Sequence, residues 1–148
     1  WHELREPEQV ERVAKRLIAL AREQEFAFLL AAAQCGLGWA TCQRGDAGGT
    51  AQIQTGLELH AATGARLTRG YYMTYLLDAL LISGRLTEGL AASREAQALS
   101  ETQLDVFYVA ELFPFEGEFL RASRGAAGGD GAPGLRDGRQ GDSALLLS

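Results

Sequence analysis

Between Pro7 and Glu25 the apolar residues Val10, Val13, Ala14, Leu17, Leu20 and Ala21 recur three and four positions apart, which predicts an amphipathic helix with one stripe turned inward. Pro7 suits the first helical turn, and Glu6 and Glu8 oppose the positive end of the helix dipole. Glu8–Arg12 and Glu11–Lys15 are spaced to pair on the wet face. From Phe26 to Arg44 the chain is apolar almost all round and stops at Gly45-Asp46, the pattern of a helix covered on several sides. A more amphipathic helix follows over Ala47 to Ala62, with Ala47, Ala51, Ile53 and Leu57 facing inward and Gly64 beyond its end. The two make a helical hairpin. The alternation then returns: a largely apolar helix over Leu67 to Ser83, a stop at Gly84, and an amphipathic helix over Leu86 to Thr102. A third apolar helix spans Leu104 to Ala122.

Sliding the chain by 39 residues lays Gly45 on Gly84, Ala47 on Leu86, Ala51 on Leu90, Leu57 on Ala96 and Thr63 on Thr102. A period of this length predicts an all-α fold of antiparallel helical hairpins stacked as a short α-solenoid. Each hairpin then leaves an apolar face that only a neighbour covers. Pro7 to Glu25 reads as the second helix of an earlier unit, and Leu104 to Ala122 as the first helix of a later one. Pro114 lies inside that last helix, where a lost backbone bond costs about 3 kcal/mol unless the helix kinks. Seven glycines then fall between Gly125 and Asp142, so residues 1–122 read as the helical unit and 123–148 as a glycine-rich flexible tail. The tail reads either as a natural linker or as the product of a shifted reading frame.

Charge narrows the choice of partner. Fourteen basic against 19 acidic residues give −5, with no face concentrating Arg and Lys, which argues against nucleic acid and anionic membrane. The longest purely apolar run, Phe26 to Ala33, is far short of the roughly 20 residues that span a bilayer. The acidic, polar start Trp1-His2-Glu3 does not resemble a secretory leader, which points to the cytoplasm. A first residue of Trp1, with Met73 the only methionine, suggests a piece of a longer polypeptide.

Candidate chemistry is sparse. Cys35 and Cys42 are seven apart on one helix, about 10.5 Å along its axis and too far apart to bridge. As metal ligands they lack companions at close spacing, since His2 and His60 belong to other elements, so both read first as core cysteines and no cofactor is expected. His60 aligns with Leu99 under the 39-residue shift, which makes it a half-buried packing residue. Gly45-Asp46-Ala47-Gly48-Gly49-Thr50 has the glycines of a phosphate loop but lacks the lysine and follows a helix. Glu116 and Glu118 are two apart and diverge on a helix. The alternative to a binding scaffold is a small helical enzyme or ligand-binding domain using Cys42, His60 and Glu111.

Within the repeats, Leu37-Gly38 lies seven residues before Gly45, and Thr50 or Ala51 supplies a small residue five or six after it. This resembles the tetratricopeptide repeat, with Gly84 and Gly89 kept in the second unit. Leu77 stands where Gly38 would recur, and the 39-residue period exceeds the usual length of about 34. A closer likeness, carried by residues 17–21, 37–40, 84–90, 110–112 and 117–120, is to divergent helical repeats of large bacterial signalling proteins. Those proteins pair an ATPase module with a nucleotide cyclase or a DNA-binding region. The resemblance implies a right-handed solenoid and a non-catalytic scaffold that binds a protein, a peptide or adjacent domains of its own chain. It further implies a concave binding face carried by the first helix of each hairpin, with Cys35, Trp39 and Cys42 in one unit and Tyr71, Thr74 and Asp78 in the next.

Overall fold

The computed structural model describes residues 6–65, 68–103 and 106–128, with the side chains of 100–103, 106–111 and 128 excepted. Among these residues all regular structure is helical: α1 (Pro7–Glu23), α2 (Ala27–Gln43), α3 (Gly49–Ala62), α4 (Arg69–Ile82), α5 (Leu86–Gln103) and α6 (Val106–Gly128). Each helix lies where the apolar pattern placed one, with ends shifted by a few residues. None is long and apolar enough to cross a membrane. His2, the side chain of Glu111 and residues 129–148 of the expected tail lie outside the described residues.

Two of the turns share one backbone geometry. Gly45 (φ 86°) and Gly84 (φ 69°) are left-handed, a conformation open to glycine because it has no Cβ. At each, two amides reach back to free carbonyls: Gly45 and Asp46 to Cys42 and Thr41, and Gly84 and Arg85 to Leu81 and Leu80. Glu25 (φ 55°) and Gly64 (φ 73°), also 39 residues apart, end α1 and α3 with the same handedness. Pro7 opens α1, and Glu11 pairs with Lys15 at 2.6 Å and with Arg44 at the end of α2.

Every helix packs on the next in the chain, and α2, α4 and α6 also pack on one another in succession. α2 therefore touches α1, α3 and α4, which accounts for its apolar residues on all sides. The core runs through Trp39, Ile53, Leu77, Leu112 and Phe119, all buried.

Two details correct the sequence reading. On α3 the buried residues are Gly49, Thr50, Ile53, Gly56, Leu57 and His60, while Ala47 and Ala51 are exposed. The inward face is centred on glycines, which carry no hydropathy signal but allow α2 to approach. Gly49, Ile53 and Gly56 recur 40 residues on as Gly89, Ser93 and Ala96, the buried small face of α5. At the C-terminal end, α6 continues through Pro114 to Gly128, six residues beyond the compositional boundary at Ala122. Pro114 is exposed, so the missing backbone bond falls on a wet face, and Ser123 donates its hydroxyl to the Phe119 carbonyl at 2.8 Å. Residues 124–127 of α6 are exposed.

Candidate functional site

Where α2 and α4 lie side by side, the last turns of α2 meet the middle of α4 in a cluster of aromatic and polar groups. Trp39 is buried, and a buried indole N–H needs an acceptor. It donates to Asp78 Oδ2 at 2.6 Å. Gln43, one turn further along α2, donates its side-chain amide to the same oxygen at 3.2 Å. The Trp39 ring meets Tyr75 edge-on at 6.1 Å, and Tyr75 meets Tyr71 at 5.4 Å with their hydroxyl oxygens 2.9 Å apart.

Tyr71, Tyr75 and Asp78 stand at i, i+4 and i+7 on α4 and so share one face. All three are half-buried, as is Gln43, and together they form a ledge over the buried Trp39. The ring contacts continue inward from Tyr71 to Tyr72 at 5.5 Å, from Tyr72 to His60 at 5.3 Å and from His60 to Phe28 at 5.5 Å. Rings packed in this way are held at defined angles and lose little freedom when a partner covers them.

Of the six residues expected to line a concave face, four are core residues. Cys35 turns into the α2–α3 hairpin and donates its thiol to the Ile53 carbonyl at 3.7 Å. Burial pushes that thiol up to about 12. Cys42 packs on Gly49 across the same hairpin, and burial, then the Asp46 carboxylate, hold its thiol above the ordinary value. Thr74 is buried with its hydroxyl donated to the Tyr71 carbonyl at 2.6 Å, and Trp39 is buried against Tyr75. Spacing placed these residues on one face in principle, but α2 and α4 are covered on several sides. Tyr71 and Asp78 alone of the six reach the surface, joined by Gln43 and Tyr75, which the sequence reading passed over. The i, i+4, i+7 spacing of Tyr71, Tyr75 and Asp78 was the signal available for Tyr75.

The grouping of Cys42 with His60 does not form a site. Cys42 sits by the turn of an antiparallel hairpin, whereas His60 lies eleven residues beyond Gly49, about 16 Å along α3. His60 is buried outright rather than half-buried, between Phe28 and Tyr72, with Nε2 3.3 Å from the Thr68 hydroxyl. Both thiols are shifted away from the thiolate that a nucleophile requires. Among the described residues no group of three His, Cys, Asp or Glu side chains could hold a metal ion.

A smaller feature lies between the two glycine turns. Arg85 donates to the Thr50 hydroxyl at 2.8 Å and to both carboxylate oxygens of Glu88 at 2.9 and 2.6 Å, tying the turn after α4 to the start of α3. The Arg85 guanidinium in return holds the Glu88 carboxyl below its usual range. Beside it a cavity of about 230 Å³ is lined by Cys42, Gly45, Asp46, Ala47, Ile82 and Ser83. The Asp46 carboxylate there accepts the Gly48 amide at 2.8 Å, the hydrogen bond of a structural turn.

Fold and site define the class as far as an all-α protein of sequentially packed helices, with an aromatic and polar ledge on its α2–α4 edge. No protein-family model, no curated protein and no solved structure matches the chain.

Proposed function

We propose that the chain is a non-catalytic interaction scaffold, a tetratricopeptide-like stretch of a right-handed α-solenoid, and that its α2–α4 ledge receives a protein or peptide segment. The observation that carries this reading is the Trp39–Asp78 hydrogen bond. It joins two residues that stand 39 apart, hence at equivalent places in successive repeats, and it anchors the edge where Tyr71, Tyr75 and Gln43 remain half-exposed. The succession of α2, α4 and α6 supports a solenoid in which first helices line one side. Tyrosines over a buried indole suit an apolar anchor residue of a partner, with the ledge's amide and carboxylate as polar contacts. The setting is the one that the sequence resemblance implies, a larger bacterial signalling protein whose ATPase, cyclase or DNA-binding parts the repeats regulate.

Panning a displayed peptide library against the purified chain tests the reading. Selected peptides are expected to lose at least about tenfold in affinity on Tyr71→Ala or Tyr75→Ala, with the helical circular dichroism unchanged. If no peptide is selected, or if both variants bind the selected peptides as the parent does, the ledge is not the binding surface.

A further inference from the structure

The α2–α4 ledge carries charge of one sign, and that sign bears on the chemistry of a partner. α2 has no charged residue, and α4 has two: Arg69 at its first position and Asp78, about 13.5 Å further along the axis. Trp39, Gln43, Tyr71 and Tyr75 are neutral at pH 7, so Asp78 gives the ledge its charge. Trp39 and Gln43 both donate to its Oδ2, at 2.6 and 3.2 Å. Both are neutral donors, which fix the direction of the carboxylate without cancelling its charge.

Two further features act in the same direction. The last turn of α2, where Gln43 stands, is the negative end of that helix's dipole and holds no basic residue. Arg44, just beyond it, is paired with Glu11 of α1. The field of Asp78 also reaches the neighbouring thiol: burial and the Asp46 carboxylate hold Cys42 above its ordinary value, Asp78 adds to them, and Arg85 opposes them. Beside this carboxylate stand Tyr71 and Tyr75, half-buried and nearly perpendicular at 82°. The face of an aromatic ring attracts a cation within about 6 Å. A carboxylate, a helix C-terminal end and two tyrosine rings all favour a positive group, while a partner's carboxylate would be repelled. At longer range the net charge of −5 draws partners of the same kind.

We propose that the ledge recognises a basic side chain, lysine or arginine, on the protein or peptide segment that docks there, with its cation set between Asp78 and the rings of Tyr71 and Tyr75. The proposal rests on the ledge being a docking surface, as given under the proposed function, and adds the charge that the partner carries. The partner segment then presents a basic residue next to its apolar anchor.

Peptides selected by panning against the full chain test it. They are expected to share a lysine or arginine, and replacing that residue by glutamine in the synthetic peptide should cost at least about tenfold in affinity. Asp78→Asn removes the charge but keeps a side-chain oxygen for Trp39 and Gln43. It should cost a similar factor with the basic peptide and little with the glutamine peptide. Raising salt from about 0.1 M to about 1 M shortens the reach of a charge from about 10 Å to about 3 Å, so it should weaken the basic peptide on the unaltered chain more than on Asp78→Asn. General attraction to an acidic chain would instead leave Asp78→Asn close to the parent, and that result overturns the proposal. If Asp78→Asn loses its helical circular dichroism, the glutamine exchange measured on Tyr75→Ala carries the test. Its cost should shrink when the ring is gone, and an unchanged cost overturns the proposal. Peptides that depend on Tyr71 and Tyr75 but hold no basic residue refute the cation and leave the docking surface standing, whereas failure to select any peptide removes both.

Discussion

The α2–α3 and α5–α6 contacts both depend on glycine, and they use it in opposite ways. Between α2 and α3 the glycines let two backbones touch. A Cβ on Gly38 would come within 2.5 Å of the Gly49 carbonyl oxygen and 2.8 Å of Ile53, and one on Gly56 within 2.9 Å of the Ala31 carbonyl. Between α5 and α6, Gly89 leaves a notch that the fully buried Phe119 ring fills, so that a Cβ there would fall on the ring itself. Arg94 and Gln97 of α5 reach Glu116 at the rim of the same contact. One contact is held by the absence of side chains and the other by a single large one. They should therefore fail differently, the first when atoms are added and the second when atoms are removed.

The largest expected effect is on the ring-filled contact. Phe119→Ala should cost about 4 kcal/mol in urea denaturation, because it removes a buried ring and leaves a hole that two helices cannot easily close. Gly89→Ala should also destabilise, and pairing it with Phe119→Leu should recover part of the loss, since the two positions compete for one space. Strictly additive effects would show that the notch and the ring are independent.

The glycine contact gives a smaller effect whose sign is diagnostic. Alanine in a helix is favoured over glycine by about 1 kcal/mol, so at an open position such as Gly117 the exchange should stabilise by up to that amount. At Gly38 or Gly56 the same exchange pushes a methyl into backbone, and a net loss of about 2 kcal/mol is expected. A stabilised Gly56→Ala would mean that α2 and α3 are not in backbone contact.

The smallest effect is a pH dependence from Cys35, which lies against Gly56 in the α2–α3 hairpin. An unfolded thiol releases its proton near about 8.5, while burial holds the folded one up to about 12. The unfolded chain thus binds fewer protons between those values, so stability is complete below about pH 8 and falls as pH rises, by about 1 kcal/mol per unit. Cys35→Ala should flatten this slope relative to the parent. An unchanged slope would place the thiol in water.

Helix positions were readable along the chain because each helix has local causes. Pro7 starts α1, left-handed glycines at Gly45 and Gly84 end α2 and α4, and the apolar spacing fills the interval. The inward face of α3 was not readable in the same way. Gly49 and Gly56 are buried because α2 arrives there, and a residue without a side chain does not announce a face. The ledge was half readable. The repeat resemblance puts Trp39, Tyr71 and Asp78 on one binding face, but whether each side chain turns to water or to core depends on which helix lies beside it. Gln43 entered only because the Trp39 contact brought Asp78 within its reach.

By itself, then, the order of residues determined the six helices of the described residues, their glycine stops and the 39-residue spacing of the turns, since these follow from backbone preferences and hydropathy within a few turns. Tertiary structure alone decided which small residues became contact surfaces and that Thr74 belongs to the core. It also decided that Trp39 and Asp78, 39 residues apart, share a hydrogen bond. These outcomes depend on helices that pack on one another at long range, where burial is conferred by the neighbour and not by the residue.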